Sequence, residues 1–269
     1  MVIAALAVLN AFFLAFIIVD AVAEARGDRQ AIENACHVLR NNGIEIDPDA
    51  IKAGGVIRTM RTARGDEAEA AIVRTFLGQA SMSDQGVIYL YENTERGTAE
   101  FSSGGVFEIL LYDGAVTNSG GALRTANRLL RSMKLETMDP IVSGVPGFET
   151  VTAVNAYKGA SIFNCAVEFV FSGDNLVSVR GRYMTGIEAL DGGAEISSAG
   201  TALLCFLAAV RRGEFECARI HSVEAGYQHS IAGPIGEGVI APAWFITADS
   251  GQYLVDDASG EIRQLTVEG

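Results

Sequence analysis

Four cysteines, three histidines and one glycine-rich run are the residues whose chemistry would matter first in this 269-residue chain. Cys36, Cys165, Cys205 and Cys217 include no CxxC, and no Cys–His pair has the spacing of a zinc site. Each lies in an apolar or alternating setting, as in "NCAVEFVF" and "LLCFLAAV". They therefore read as small buried hydrophobes. A Cys205–Cys217 bridge stays open for an oxidising compartment. His37 falls in a helical pattern, while His221 and His229 flank a strand at even separation. Eight residues of extended chain put those two about 26 Å apart, too far to share a metal or a proton. "GPIGEG", Gly233 to Gly238, has the wrong spacing for a phosphate cradle and precedes a strand, so it reads as a loop. Asp256-Asp257 adjoins "ASGE" without the alternating ligands of a calcium loop, and reads as a solvated turn. No GxSxG, HExxH, Walker loop or GxGxxG occurs. The residues assign no catalytic, cofactor or metal role, and the chain reads as a non-enzyme.

Charge points the same way. The net charge is −13, and no basic residue precedes Arg26. An acidic body is repelled by nucleic acid and by anionic lipid, which speaks against both as partners. Plain solubility explains the acidity equally well. With 49% apolar residues and only 5 prolines, the chain has the composition of a folded protein.

The amino-terminal stretch "MVIAALAVLNAFFLAFIIVDAVAEARGD" carries no formal charge from Ile3 to Val19. About 20 apolar residues span a bilayer core as a helix, so residues 2–23 read as a transmembrane anchor. Ala21-Val22-Ala23 also fits a small-x-small cleavage site. That leaves a secreted form as the alternative. At about 100° per residue, Ala7, Ala11 and Ala15 share a helix face and Asn10 lies beside it. Small residues and one amide suit close contact with a partner helix, which makes Ala7, Asn10, Ala11 and Ala15 the candidate contact residues.

These segments must be carried by a body whose elements repeat. "RQAIENACHVLRNNG" reads as a helix with Ile32, Ala35, Cys36 and Leu39 on one face and Asn42-Gly43 as its stop. "GDEAEAAIVRTFLG" is a second helix with acids in its first turn. Strands follow in "GVIYLYEN", "GTAEFSS" and "GVFEILLYDG". Ser119 opens a third helix with the stripe Ala122, Ala126, Leu129, Leu130, Met133. After a loop holding Pro140 and Pro146 come "FETVTAVNAY", "SIFNCAVEFVFS" and "LVSVRGRYM", separated by turns at Lys158-Gly159 and Gly173-Asp174-Asn175. A fourth helix begins at Ser197 or Ser198 and stops at Gly213, and four more strands complete the chain. The single Trp, Trp244, has Phe245 and Ile246 beside it and reads as core. Strands in runs, with helices between the runs, predict an α+β fold of helices packed on antiparallel sheet. The expected modules are residues 29–115, 116–190 and 191–269.

Three stretches carry a family resemblance. They are "LAVLNAFFLAFII", then "ACHVLRNNGIEIDPDAI" with its L-x-x-x-G-I-x-I-x-P ending, and "APAWFITADSGQYLVDDASGEI" with Pro-x-Trp-x-Ile before Tyr and Ser-Gly-Glu. In this order they resemble the YycI branch of the YycH/YycI family of regulatory proteins, although the basic start usual there is missing. The resemblance implies a single-pass protein of the cell membrane with an extracytoplasmic body of PepSY-like modules. It also implies contact with a sensor histidine kinase of a Gram-positive cell-wall two-component system and with a YycH-like sister protein, and no catalytic residues. The alternative keeps the same body as a secreted PepSY-like module that inhibits or chaperones a peptidase.

Overall fold

The computed structural model describes residues 27–52, 57–63, 65–86, 88–231 and 237–265. Residues 2–23, and with them Ala7, Asn10, Ala11 and Ala15, lie outside the described residues. Among the described residues, no helix is long and apolar enough to cross a membrane. The described residues form a mixed α+β fold, with four α-helices and a large sheet.

The described chain falls into two compact units. One takes the residues up to 52, Ser197–Glu224 and the residues from Trp244 on; the other takes those between 57 and Ile196, with Ala225–Ala243.

In the first unit, helix α1 covers residues 27–41. Ala35, Cys36 and Leu39 are buried on the expected face, and Gly43 ends the helix at φ +82°. Short strands β1 (Glu45–Ile46) and β2 (Ile51–Lys52) follow. Helix α4 (Ala199–Arg211) is capped by Ser198, whose hydroxyl accepts from the Thr201 N–H. The same unit holds the start of β13 (Arg219–Ile231), the end of β14 (Glu237–Ala248), and the hairpin β15 (Gly251–Asp256) with β16 (Ile262–Leu265). β1 and β2 pair with β13 in parallel, Glu45 opposite Arg219 and Val223 opposite Ile51.

The second unit has a layer of two helices against one face of its sheet. Helix α2 (Asp66–Phe76) buries Ile72, Val73 and Phe76. Helix α3 (Ala122–Met133) buries the whole expected stripe. It starts at Ala122 rather than Ser119, because Gly120 and Gly121 both take positive φ and the chain turns there before winding. The strands are β3 (Met60–Ala63), β4 (Ser81–Asp84), β5 (Tyr89–Asn93), β6 (Gly97–Phe101), β7 (Val106–Leu111), β8 (Ile141–Val145), β9 (Phe148–Tyr157), β10 (Ala160–Ser172), β11 (Asn175–Arg182) and β12 (Thr185–Ala189). Their order with the long strands is β12-β3-β14-β13-β10-β11-β7-β6-β5-β4, with the β8–β9 hairpin also on β10.

Alternation in β10 buries Cys165, Val167, Phe169 and Phe171; the last three join Phe101 and Phe107 in the core under α3, while Cys165 packs with Met60, Ile162 and Tyr227. That period-2 pattern is what one covered face requires. The sheet is not wholly antiparallel, however. β10 meets β13 in parallel at Ile162 and Tyr227, and the connection between them contains α4. Parallel neighbours need such a long crossover, whereas a tight turn joins antiparallel ones. The stretch expected as a loop around Pro140 and Pro146 contains β8, whose prolines stand just outside it.

Candidate functional site

The best-defined polar cluster is in the second unit, around His229. Asn164 has its side-chain amide against the His229 backbone: Oδ1 accepts from the His229 N–H at 2.7 Å, and Nδ2 donates to the His229 carbonyl at 2.7 Å. The amide so replaces one residue of strand pairing, just where the β9–β10 register shifts between Ser161 and Ala166. Arg182 Nη1 donates to the Gly104 carbonyl at 2.7 Å and lies 3.2 Å from His229 Nδ1. A guanidinium can only donate, so Nδ1 is the acceptor and the imidazole proton is on Nε2. Asn155 Nδ2 donates to the Arg182 carbonyl at 2.7 Å.

Close backbone contact frames this cluster. Gly105 has φ +74°, and a Cβ there would stand 2.0 Å from the Tyr183 carbonyl oxygen. A Cβ on Gly238, the last glycine of the run read as a loop, would stand 2.4 Å from His229 Nε2. Gly238 is therefore a packing glycine, while 232–236 lie outside the described residues. Burial, and then the Arg182 charge, push His229 down to about 4. At neutral pH the imidazole is uncharged and its Nδ1 lone pair is occupied. It is built to hold three strands together rather than to exchange protons with a substrate.

A second buried polar group comes from α2. Glu69 is 2% exposed. Tyr91 donates to its Oε1 at 2.8 Å and Tyr183 to its Oε2 at 2.9 Å. The sequence marks Glu69 only as one acid in a helix first turn. Helical geometry turns it inward, beside Ile72 and Val73.

The first unit contains an open groove of about 700 Å³ bordered by Arg40, Glu45, Asp47, Arg219 and His221. Arg40 Nη2 donates to the Ile46 carbonyl at 2.8 Å, and Arg219 pairs with Glu45. Its cations and carboxylates are interleaved, so an anion entering it would meet Glu45 and Asp47 as well as Arg219.

The residues singled out from sequence scatter. His221 belongs to the first unit and His229 to the second, and both lie inside β13 rather than flanking it. His37 is exposed on α1, with Asn41 Nδ2 3.1 Å from its Nδ1. All four cysteines are free thiols. Burial pushes Cys165 up to about 12, against the lowering charge of Arg182. Burial and then Asp249 push Cys217 up to about 12. Thiols held there stay protonated at neutral pH and are poor nucleophiles. Asp256 and Asp257 are not simply solvated. Asp256 Oδ1 accepts from the Ser259 N–H at 2.8 Å, and Asp257 accepts from the Ser197 N–H at 2.9 and 3.0 Å. They pin the last hairpin and the approach to α4. Among the described residues, no group of three or more His, Cys, Asp or Glu side chains could hold a metal ion.

No family model matches the chain, and no curated protein matches it. Among solved structures it is similar to an uncharacterized protein from Eubacterium rectale ATCC 33656, with 8% identity and a TM-score of 0.49 over 78% of this chain and 87% of that one. It is also similar to the YpeB C-terminal domain of Bacillus megaterium, with 10% identity and a TM-score of 0.36 over 76% of this chain and 99% of that one.

Proposed function

We propose that the protein is a membrane-anchored, non-catalytic regulator that acts by contact, with a body of PepSY-like modules outside the cytoplasm. The observation that carries this reading is the apolar span from Val2 to Val22, with Asp20 its one charge, long enough to span a bilayer core, ahead of a folded acidic body. The polar side chains support it in a second way. The buried Glu69 and His229, and the half-buried Asp257, are each engaged by the protein's own groups. The proposed partners, from the resemblance to YycI, are a sensor histidine kinase of a cell-wall two-component system and a YycH-like protein. The proposed contact residues are Ala7, Asn10, Ala11 and Ala15.

The test is fractionation of cells making the full chain, with mass spectrometry of its amino terminus, followed by crosslinking of Asn10→Leu and wild type to a candidate sensor histidine kinase of the same cells. An intact amino terminus in the membrane fraction, with weaker crosslinking for Asn10→Leu, is the expected result. A chain starting at Glu24 in the medium would replace this reading with the secreted peptidase-directed module, which Ala21-Val22-Ala23 favours.

A further inference from the structure

Strand β8 is an outer strand of the second unit, paired only with β9 among the described residues. All five of its residues are exposed. Ile141 at 71% and Val145 at 68% are the two most exposed large hydrophobic residues described, and Phe148 at 51% adjoins them. Outer strands are normally guarded by charge, because their open backbone groups invite pairing. Two others in this unit follow that rule, with Asp84 in β4 and Glu188 in β12. The segment from Pro140 to Phe148, "PIVSGVPGF", has no charge at all in a chain of net charge −13.

The hairpin geometry says which backbone groups are open. Val145 pairs with Phe148 across the two-residue turn Pro146-Gly147. The closing pair of such a hairpin is hydrogen bonded, and the direction of the backbone groups alternates from there. Val145, Ser143 and Ile141 thus bond to β9, while Val142 and Gly144 turn their N–H and C=O outward. The next residues with outward parity are Pro140 and Pro146, and neither has an N–H. The open edge is therefore a window of two donors, bounded by prolines at equal distance on either side of Ser143.

We propose that β8 pairs with β8 of a second copy of this chain, antiparallel about a two-fold axis at Ser143. In that register Val142 meets the partner's Gly144 and exchanges both hydrogen bonds with it, and the symmetry repeats the exchange. Each Pro140 falls opposite the partner's Pro146, where no donor is needed. Ile141 lies opposite the partner's Val145 on one face, so both of the most exposed apolar side chains are covered. An isologous contact requires such self-complementarity. The lack of charge lets two acidic molecules meet at this edge. The inference does not depend on the partner or the anchor proposed above.

The register sets Ser143 opposite its own copy as a non-hydrogen-bonded pair, with Cα atoms about 4.5 Å apart. That is within the range a disulfide bridges. The test uses the full chain in cultures of its expression host, cells and medium together, with Cys205 and Cys217, the two partly exposed cysteines, changed to Ser. Ser143→Cys in this background should give an oxidant-dependent species of twice the chain mass on non-reducing electrophoresis. Ser81→Cys, on the far outer strand β4, should not. Adding Ile141→Lys, at a site exposed enough to leave the fold intact, should remove the dimer band by setting a charge in the contact. Adding Val142→Pro should remove it by deleting an outward N–H. The proposal is overturned if Ser143→Cys forms no more dimer than Ser81→Cys. It is equally overturned if the band persists in both second-site variants, or if the adduct has the mass of this chain joined to a different protein.

Discussion

The Asn164 side chain binds the backbone of His229 from both sides, accepting from its N–H and donating to its carbonyl at 2.7 Å each. One amide therefore stands in for a strand neighbour across 65 residues of sequence. On the other side of the same histidine, Arg182 lies 3.2 Å from Nδ1 and keeps that nitrogen an acceptor. Protonation of His229 would set two cations against each other in a nearly dry place, and this gives the fold a defined acid sensitivity.

His229 is held down to about 4, against an unfolded value of 6.5. Between those values the unfolded chain binds a proton that the folded chain refuses. Stability from this group is complete above pH 6.5, falls as the pH drops toward 4, and changes no further below that. Each pH unit is worth about 1.4 kcal/mol, so the loss approaches about 3 kcal/mol. His229→Gln retains an acceptor for Arg182 and cannot titrate. Urea unfolding at intervals between pH 7 and 4 should show a flatter stability profile for His229→Gln than for wild type, and parallel profiles would contradict this account.

Glu69 supplies a second measurable pair. Tyr183 is 1% exposed, and its hydroxyl reaches Oε2 where water has no access. Tyr183→Phe should cost about 1.5–3 kcal/mol, the range for a hydrogen bond to a charged group. Tyr91 is only half-buried, so water can replace its hydroxyl and Tyr91→Phe should cost less. Chemical denaturation of the two variants ranks them, and the reverse order would mean that Tyr91 is the main partner of the carboxylate.

Trp244 is 3% exposed, and its Nε1 has no hydrogen-bond partner among the described residues. Trp244→Ala should cost about 3–5 kcal/mol through the cavity it opens. Trp244→Phe should cost clearly less, since it removes an unpaired N–H along with part of the ring. As the only tryptophan, it also reports directly by fluorescence. A blue-shifted emission that moves to the red on unfolding is expected, and a red emission in the native state would count against burial.

Much of the fold is local enough to read from the chain. The buried stripe of α3 and the alternation of Cys165, Val167, Phe169 and Phe171 follow from periods of 3.6 and 2 against one apolar layer. The turn at Lys158-Gly159 shows itself because two successive residues must take positive φ, here +50° and +80°. Glu69 was visible only as an acid near a helix start, because its two tyrosines arrive from β5 and from just after β11. The His229 cluster had no local signal at all. Its members come from β9, β10, β11 and β13 and bond through a side-chain amide, a guanidinium and backbone carbonyls.

Composition and periodicity determined by themselves that this chain builds helices and one-face-covered strands, since burying apolar surface imposes those patterns wherever they occur. Only the tertiary structure decided that β10 and β13 lie side by side in parallel, that residues 27–52 share a unit with 197–224, and that "IVSGV" between two prolines is an open strand rather than a loop. Contacts between distant segments depend on which surfaces fit once the elements exist. Such fit leaves no repeat in the order of residues.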